Sequence, residues 1–338
     1  MKNEQIIFPE INKATLIEVE YKKPAAGEVV VKTAYSTISA GTEKANITGD
    51  PNVSGNGAPS TKFPRSVGYS SAGEVVEVGD GVESVSVGDR VVVYWGKHKA
   101  YNTMPEGNVV KIPDGIGLDA AAISFIATFP LAAIRKTNLE IGEPALVMGL
   151  GLLGQLAVRL LRAAGAAPII AADPVESRRA EALAGGADYA LDPLAEGFAE
   201  RVISLTGGGA NVAIEVTGLG AGLDGALDCM AKYGRVALLG CTRDKNFTID
   251  YYRKVHFPGI TLIGAHTRAR PDLESHHGYY THADDIEAVL RLISCGRLDL
   301  ASMIRETHLP EECGKVFTRL IEDREFPIVV QFDWRNME

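Results

Sequence analysis

The sequence reads as an α/β chain, with a β-rich domain first, a doubly wound parallel sheet next, and a C-terminal segment that returns to mixed character. Residues 1 to about 125 carry short β-like runs (ATLIEVE, EVVVKTAYS, AGEVVEVG, DRVVVYW, NVVKIP) broken by Gly, Pro and Asp turns. That is the pattern of an all-β, barrel-like unit. Residues 126 to 266 alternate strand and helix: PALVMGL, a helix, PIIAAD, a helix from Pro174, ADYALD, a helix near Phe198, VAIEV, a helix, RVALLG and ITLIGA. Such alternation makes a parallel sheet covered by helices. From about 267 onward a helix over Asp284 to Ser294 and a last apolar strand, FPIVVQF, complete the chain, and no internal repeat is visible.

The stretch from Ala145 to Asp173, ALVMGLGLLGQLAVRLLRAAGAAPIIAAD, carries the most chemistry. Gly149 permits a tight strand-to-helix turn, Gly151 lets the backbone approach a pyrophosphate, and Gly154 lets the helix pack closely on the strand. The helix start at Leu152 and Leu153 offers unpaired N–H groups and the positive dipole end to phosphates. Asp173, 24 residues after Gly149, is placed for the adenosine ribose hydroxyls, where a carboxylate repels the extra phosphate of NADP. A lone GxGxxG is weak evidence. Here the preceding strand, the apolar helical face (Leu153, Leu156, Ala157, Leu160, Leu161) and the terminal acid agree on a βαβ unit that binds NAD in preference to NADP.

At 338 residues the chain accommodates two domains, and 46% hydrophobic with 23% charged residues is an ordinary globular balance. A net charge of -9 with no basic run argues against nucleic acid or an anionic membrane as partner and leaves a small neutral substrate. The start, MKNEQIIFPEINK, has no signal-like apolar core and no stretch approaches membrane-spanning length, so the cytoplasm is the expected compartment. Cys229, Cys241, Cys295 and Cys313 form no CxxC pair and are expected to be buried thiols, not a disulfide or zinc framework. Residues 49 to 62, rich in Gly and Pro, read as either a flap over a site or a surface loop.

The segments GVESVSVGDRVVV (81 to 93), VVKIPDG (109 to 115) and GADYALDP (186 to 193), together with the glycine fingerprint, resemble the medium-chain dehydrogenase/reductase family, which includes zinc alcohol and polyol dehydrogenases. The resemblance covers nearly the whole chain. It implies a GroES-like catalytic domain (1–125 and 267–338), a Rossmann NAD-binding domain (126–266) and an active site between them. It places Arg178 beside the adenosine, and Val216, Thr217, Leu239, Gly240 and Ala265 along the nicotinamide ribose and carboxamide. ITLIGA resembles the strand through which such enzymes pair edge to edge, which implies a homodimer.

The departures from the family carry as much information. Where zinc-dependent members have a cysteine before Gly-Thr-Asp, this chain has Ala40 before Gly41-Thr42-Glu43. Where they have Gly-His-Glu it has Gly68-Tyr69-Ser70, and the third ligand position falls near Ser124. The four-cysteine structural lobe is also missing between Val91 and Lys111. A catalytic zinc takes about three N, S or carboxylate ligands, so no metal is expected and the metal's Lewis-acid role passes to a side chain.

Tyr69, at a ligand position, either aims its phenol at the substrate oxygen or fills the space zinc leaves. Its phenol titrates near ~10 unaided, so catalysis calls for a cation such as Lys44 or the nicotinamide ring. Thr42 matches the hydroxyl that begins the family's proton relay, or caps a turn. The relay histidine expected after it is Ala45. Glu43 matches a supporting acid, and it and Lys44 also read as helix-start charges. His98 in YWGKHKAY either reaches the site or lies on the surface, and Tyr94 and Trp95 either wall the substrate or fill the core. His266, His276, His277, Tyr279, Tyr280 and His282 form either a hydroxyl-recognising group or, the favoured reading, a polar surface loop.

YSTISAGTEK, VGYSSAGEVVEVG and GAHTRARP are similar to a zinc-free branch of the family, which implies a secondary alcohol of sugar, cyclitol or polyol type as substrate. A quinone or enoyl reductase and a catalytically silent NAD-binding protein are the competing readings.

Overall fold

The computed structural model describes residues 2–50, 62–242 and 246–337; the proposed flap falls largely on 51–61, outside them. In chain order the first strands are β1 (Asn3–Phe8), β2 (Thr15–Val19) and β3 (Glu28–Thr37), followed by helix α1 (Ala40–Ile47). Then come β4 (Arg65–Ser66), β5 (Ser70–Val78), β6 (Arg90–Tyr94), β7 (Tyr101–Pro105), β8 (Val109–Lys111), α2 (Leu118–Ala121) and α3 (Ser124–Lys136). The alternating region follows as β9 (Ala145–Met148), α4 (Leu152–Ala164), β10 (Ile169–Ala172), α5 (Glu176–Ala184), β11 (Tyr189–Leu191) and α6 (Phe198–Thr206). It continues with β12 (Ala210–Glu215), α7 (Gly220–Asp228), β13 (Met230–Leu238) and β14 (Thr261–Gly264). The chain closes with α8 (His282–Ser294), β15 (Ile304–His308), α9 (Cys313–Glu322) and β16 (Val329–Asp333).

Contacts divide the chain into two compact units, Met1–Ile126 with Ile286–Glu338, and Ala127–Asp285. In the first, a seven-stranded sheet runs β15-β16-β3-β5-β6-β8 with β7 paired to β3, and a three-stranded sheet runs β2-β1-β4. Side chains alternate across a strand, and both faces of β3 are covered. Val30 packs with Phe8, Phe317 and Phe332 on one side, and Val29 and Val31 with Val75, Val91 and Val93 on the other. That double burial is why EVVV reads as an unbroken apolar run. Helix α9 lays Val316, Phe317 and Leu320 on the first cluster, Phe317 meeting Phe8 edge to face at 4.9 Å. Each such side chain, fully buried, contributes about 1.5–3 kcal/mol.

The second unit is a six-stranded sheet in the order β11-β10-β9-β12-β13-β14, parallel throughout. The order reverses between β9 and β12, so the crevice at their carboxyl ends is the ligand position this topology offers. Residues 267–285 belong to this unit, beyond the boundary at 266 that the sequence suggested. A buried charge cluster holds them there: Arg270 donates to the Thr128 carbonyl (3.0 Å) and to Asp285 (3.1 Å), and Arg135 donates to Asp285 (3.0 Å) and lies over the Tyr280 ring.

Two expectations are corrected. Cys229 and Cys313 are buried, but Cys241 and Cys295 are exposed. Of the two readings of His98, the surface one falls: its side chain is fully buried.

Candidate active site

In the first unit the chain turns at Gly68 with φ +88°, where an added Cβ would collide with the His98 backbone. That close approach lets Val67 O accept the His98 N–H at 2.9 Å and seats the imidazole inside the unit. His98 Nε2 faces both oxygens of Glu43, at 3.2 and 3.1 Å, and Nδ1 meets Ser36 Oγ at 2.7 Å. A carboxylate only accepts, so Nε2 carries a proton. Ser36 Oγ also accepts the Trp334 indole N–H at 2.8 Å, and Glu43 accepts the Ser39 N–H at 3.0 Å. Glu43, 2% exposed, is therefore a buried acid held by α1's own N-terminal backbone and by His98.

Tyr69 stands on the same framework. Its hydroxyl donates to Ser39 Oγ, and its half-buried ring packs on Phe125 (5.8 Å, edge to face) and Trp95 (5.9 Å). Tyr94 joins the aromatic cluster through Phe125 at 5.4 Å and sends its hydroxyl to the Gly107 carbonyl. The structure thus brings Tyr69, Ser39, Glu43 and His98 together, though the Ser39 link to Glu43 runs through its backbone N–H, not its hydroxyl.

Lys44 is not among them: its ammonium donates to the Ile321 carbonyl at 2.9 Å. Thr42 is half-buried, and its hydroxyl makes no hydrogen bond among the described residues. The lysine electrostatically coupled to Glu43 is Lys97, which sequence reasoning passed over. Burial pushes its ammonium below the usual lysine range and the Glu43 charge opposes that shift. Its only sequence signal is adjacency to His98.

The positions a zinc would use do not fit one. Ala40 has no donor, Ser70 donates its hydroxyl to the Ala122 carbonyl at 2.6 Å, and the Ser124 hydroxyl is buried without a partner among the described residues. No group of three or more His, Cys, Asp or Glu among the described residues is arranged to hold a metal.

In the second unit each glycine of the turn has its own reason. Gly149 has φ +96° and lies against Thr217; a Cβ on Gly154 would strike the Gly149 carbonyl oxygen; a Cβ on Gly151 would meet nothing within 4 Å. Gly151 therefore leaves an open space in front of the first turn of α4, where Leu152 (buried) and Leu153 (half-buried) present backbone N–H groups with no intrahelical acceptor. Asp173, 4% exposed, accepts the Leu150 N–H (2.8 Å) and the Val175 N–H (2.9 Å), with Arg178 at 3.7 Å. Gln155, also missed, is buried in the apolar face of α4 and ties it to the Leu150 and Arg178 carbonyls. An uncharged polar residue among the apolar ones of LLGQLAVRLL was the available signal.

Val216, Thr217, Leu239, Gly240 and Ala265 all follow strand ends on the same carboxyl edge of the sheet. The Leu239 and Gly240 N–H groups donate to the Glu215 carbonyl (2.9 and 2.8 Å), and the Ala265 N–H to Leu238 (3.1 Å). The histidine-rich loop is largely solvent-facing: His266, His276, His277 and Tyr279 are exposed. His282 is the exception, a half-buried imidazole packed on Phe129, whose pKa is lowered to about 3 by burial and by Arg270 and Arg268.

Comparison with known proteins gives a consistent result. A family model described as alcohol dehydrogenase GroES-like domain matches residues 25–118, and one described as zinc-binding dehydrogenase matches residues 153–278. L-threonine 3-dehydrogenase of Pyrococcus horikoshii is 31% identical over 324 residues, covering 86% of this chain and 87% of that protein. D-guloside 3-dehydrogenase of Escherichia coli K12 is 26% identical over 278 residues, 77% and 79% of the two chains. Among solved structures, an alcohol dehydrogenase from E. coli CFT073 complexed with NADH has a TM-score of 0.83 at 19% identity, covering 98% of this chain and 99% of that one.

Proposed function

Since the chain belongs to the zinc-type medium-chain dehydrogenase/reductase family, we propose that it is an NAD-dependent oxidoreductase that interconverts a secondary alcohol and its ketone without zinc. The observation that carries the zinc-free half is Tyr69, at a position where zinc-dependent members have a ligand, with its hydroxyl bonded to Ser39 beside the donorless Ala40. The Gly151 space, the free N–H groups of α4 and the Asp173 carboxylate support NAD, as does the NADH complex of the structural neighbour. The relatives' names, a threonine 3-dehydrogenase and a guloside 3-dehydrogenase, support a secondary alcohol, and the guloside supports a sugar, cyclitol or polyol type among these.

NAD, held at the start of α4 and at Asp173, would supply the hydride acceptor for the carbinol carbon. Tyr69 then handles the proton: its phenolate accepts it from the substrate hydroxyl in oxidation, and its O–H returns it to the carbonyl oxygen in reduction. Ser39 holds the phenol oxygen in position. Lys97 and the buried Glu43–His98 pair form the charged surroundings that bias Tyr69's protonation. Gly149, Gly151, Leu152, Leu153, Gly154, Asp173, Arg178, Val216, Thr217, Leu239, Gly240 and Ala265 are the proposed NAD contacts.

The edge strand β14 and its surroundings expose Leu262 (36%) with Tyr233, Tyr251, Tyr252 and Phe257. An unpaired edge beside apolar aromatics supports the homodimer. No helix among the described residues is long and apolar enough to cross a membrane, and a cytoplasmic location remains the proposal.

The test is NAD reduction by the metal-analysed protein across a panel of polyols and glycosides, with quinones and enones plus NADPH as the competing assay. Tyr69→Phe is expected to lower kcat by about 10²–10⁴-fold while NADH binding is kept. Stoichiometric zinc whose removal abolishes turnover, or undiminished turnover in Tyr69→Phe, overturns the mechanism. Tight NAD binding without turnover on any substrate overturns the enzymatic reading.

A further inference from the structure

Strand β12 ends on an acid, Glu215, that no part of the reaction above uses. It is 3% exposed. One carboxylate oxygen accepts the Thr217 N–H at 2.8 Å and the Thr217 hydroxyl, and the other accepts the Gly218 N–H at 3.3 Å. All three partners donate, which is the surrounding of an ionised carboxylate. Burial raises the carboxyl above its usual range on balance, and these three hydrogen bonds oppose that shift. It forms no ion pair among the described residues. The protein has thus kept a buried negative charge with dipoles around it and no cation beside it.

Its position says what that charge faces. β12 is the strand next to β9 at the reversal of strand order, with the Val216 N–H donating to the Met148 carbonyl at 2.8 Å. The turn after Glu215 touches the phosphate turn, since a Cβ on Gly149 would lie 2.9 Å from Thr217 Cγ2. A dinucleotide whose pyrophosphate sits at the start of α4 and whose adenosine half runs toward Asp173, just past the end of β10, must send its other half the opposite way, over the end of β12. That other half ends in a ring that is cationic when oxidised and neutral when reduced.

We infer that Glu215 sets the redox preference of the cofactor site: its carboxylate favours the oxidised, cationic nicotinamide over the reduced, neutral one, besides pinning the 215–218 turn. The inference rests on the dinucleotide reading proposed above. An uncompensated buried charge several ångströms from a unit charge is worth about tenfold in affinity. A role confined to the turn would act on both redox forms alike.

The experiment measures dissociation constants of NAD+, NADH and ADP-ribose for the parent chain, Glu215→Gln and Glu215→Asp by calorimetry, with no turnover involved. The Gln variant is expected to bind ADP-ribose and NADH within about twofold of the parent and NAD+ about tenfold more weakly. The Asp variant, which keeps the charge, is expected to keep the parent's NAD+ to NADH ratio. An unchanged ratio in the Gln variant overturns the inference. If Gln does not fold, an Asp variant whose ratio shifts toward NADH overturns it instead. Failure of the parent to bind ADP-ribose overturns the dinucleotide reading itself, a result separate from either ratio.

Discussion

Asp173 illustrates how one carboxylate serves fold and ligand together. Two of its roughly four lone-pair positions receive the Leu150 and Val175 N–H groups, and Arg178 stands 3.7 Å away. Asp173→Ser is therefore expected to do two things. Removal of the charge should raise the NADP-to-NAD ratio of kcat/KM by about tenfold or more. Loss of an acceptor for two backbone donors should lower stability by about 1–3 kcal/mol, read by urea denaturation. A changed cofactor ratio with unchanged stability would show that the backbone contacts do not matter. At this level Asp173 and the three glycines were legible because the motif has fixed offsets. His98 was not: its partner Glu43 lies 55 residues away, and no local pattern distinguishes a buried loop histidine from an exposed one.

The β9–α4–β10 element makes a sharper test, since its glycines fail in different ways. Gly154→Ala puts a methyl onto the Gly149 carbonyl oxygen and should cost about 1–3 kcal/mol of stability. Gly151→Ala meets open space at φ −69° and should leave stability within about 0.5 kcal/mol. It should nonetheless weaken ADP-ribose binding about tenfold or more, because the methyl occupies the room the pyrophosphate needs. Thermal melting beside calorimetric titration separates the two, and equal behaviour of both variants would refute the assignment. Strands β9 and β10 and helix α4 stood out in the sequence through periodicity and turn residues. β1, α3 and α9 did not. In α9 the apolar contacts of Val316, Phe317 and Leu320 stand among charged residues, and they acquire meaning only against Phe8 and Phe332.

For the molecule as a whole, the chain mass of 36.1 kDa sets the quantity to measure. Sedimentation is expected to give twice that value, and Leu262→Lys on the edge strand β14 is expected to give the single-chain mass, because a charged edge residue opposes strand-to-strand pairing. A parent protein that sediments at the single-chain mass refutes the homodimer. The exposed aromatics around β14 come from two stretches, Tyr233 on β13 and the turn over Tyr251, Tyr252 and Phe257. The folded unit brings them near one another, with the Tyr233 N–H on the Pro258 carbonyl at 2.9 Å and the Tyr252 and Phe257 rings 6.4 Å apart. The same holds for residues 267–285, which the Arg270–Asp285–Arg135 cluster assigns to the second unit.

The cofactor half was written locally. A strand, three spaced glycines, a helix start and a terminal acid all lie between Ala145 and Asp173, so their chemistry follows from spacing along the chain. The residue types at the would-be metal positions, Ala40, Tyr69 and Ser70, are likewise a property of the primary sequence. The catalytic surroundings are different in kind. That Tyr69 meets Ser39, that Glu43 holds His98, that Lys44 is drawn away to the Ile321 carbonyl while Lys97 is electrostatically coupled to the buried acid, and that Glu215 is sealed under Thr217 all depend on strand register and burial. Those contacts join positions far apart or turn side chains inward, and a polar group is forced into partnership only once water has been removed from around it.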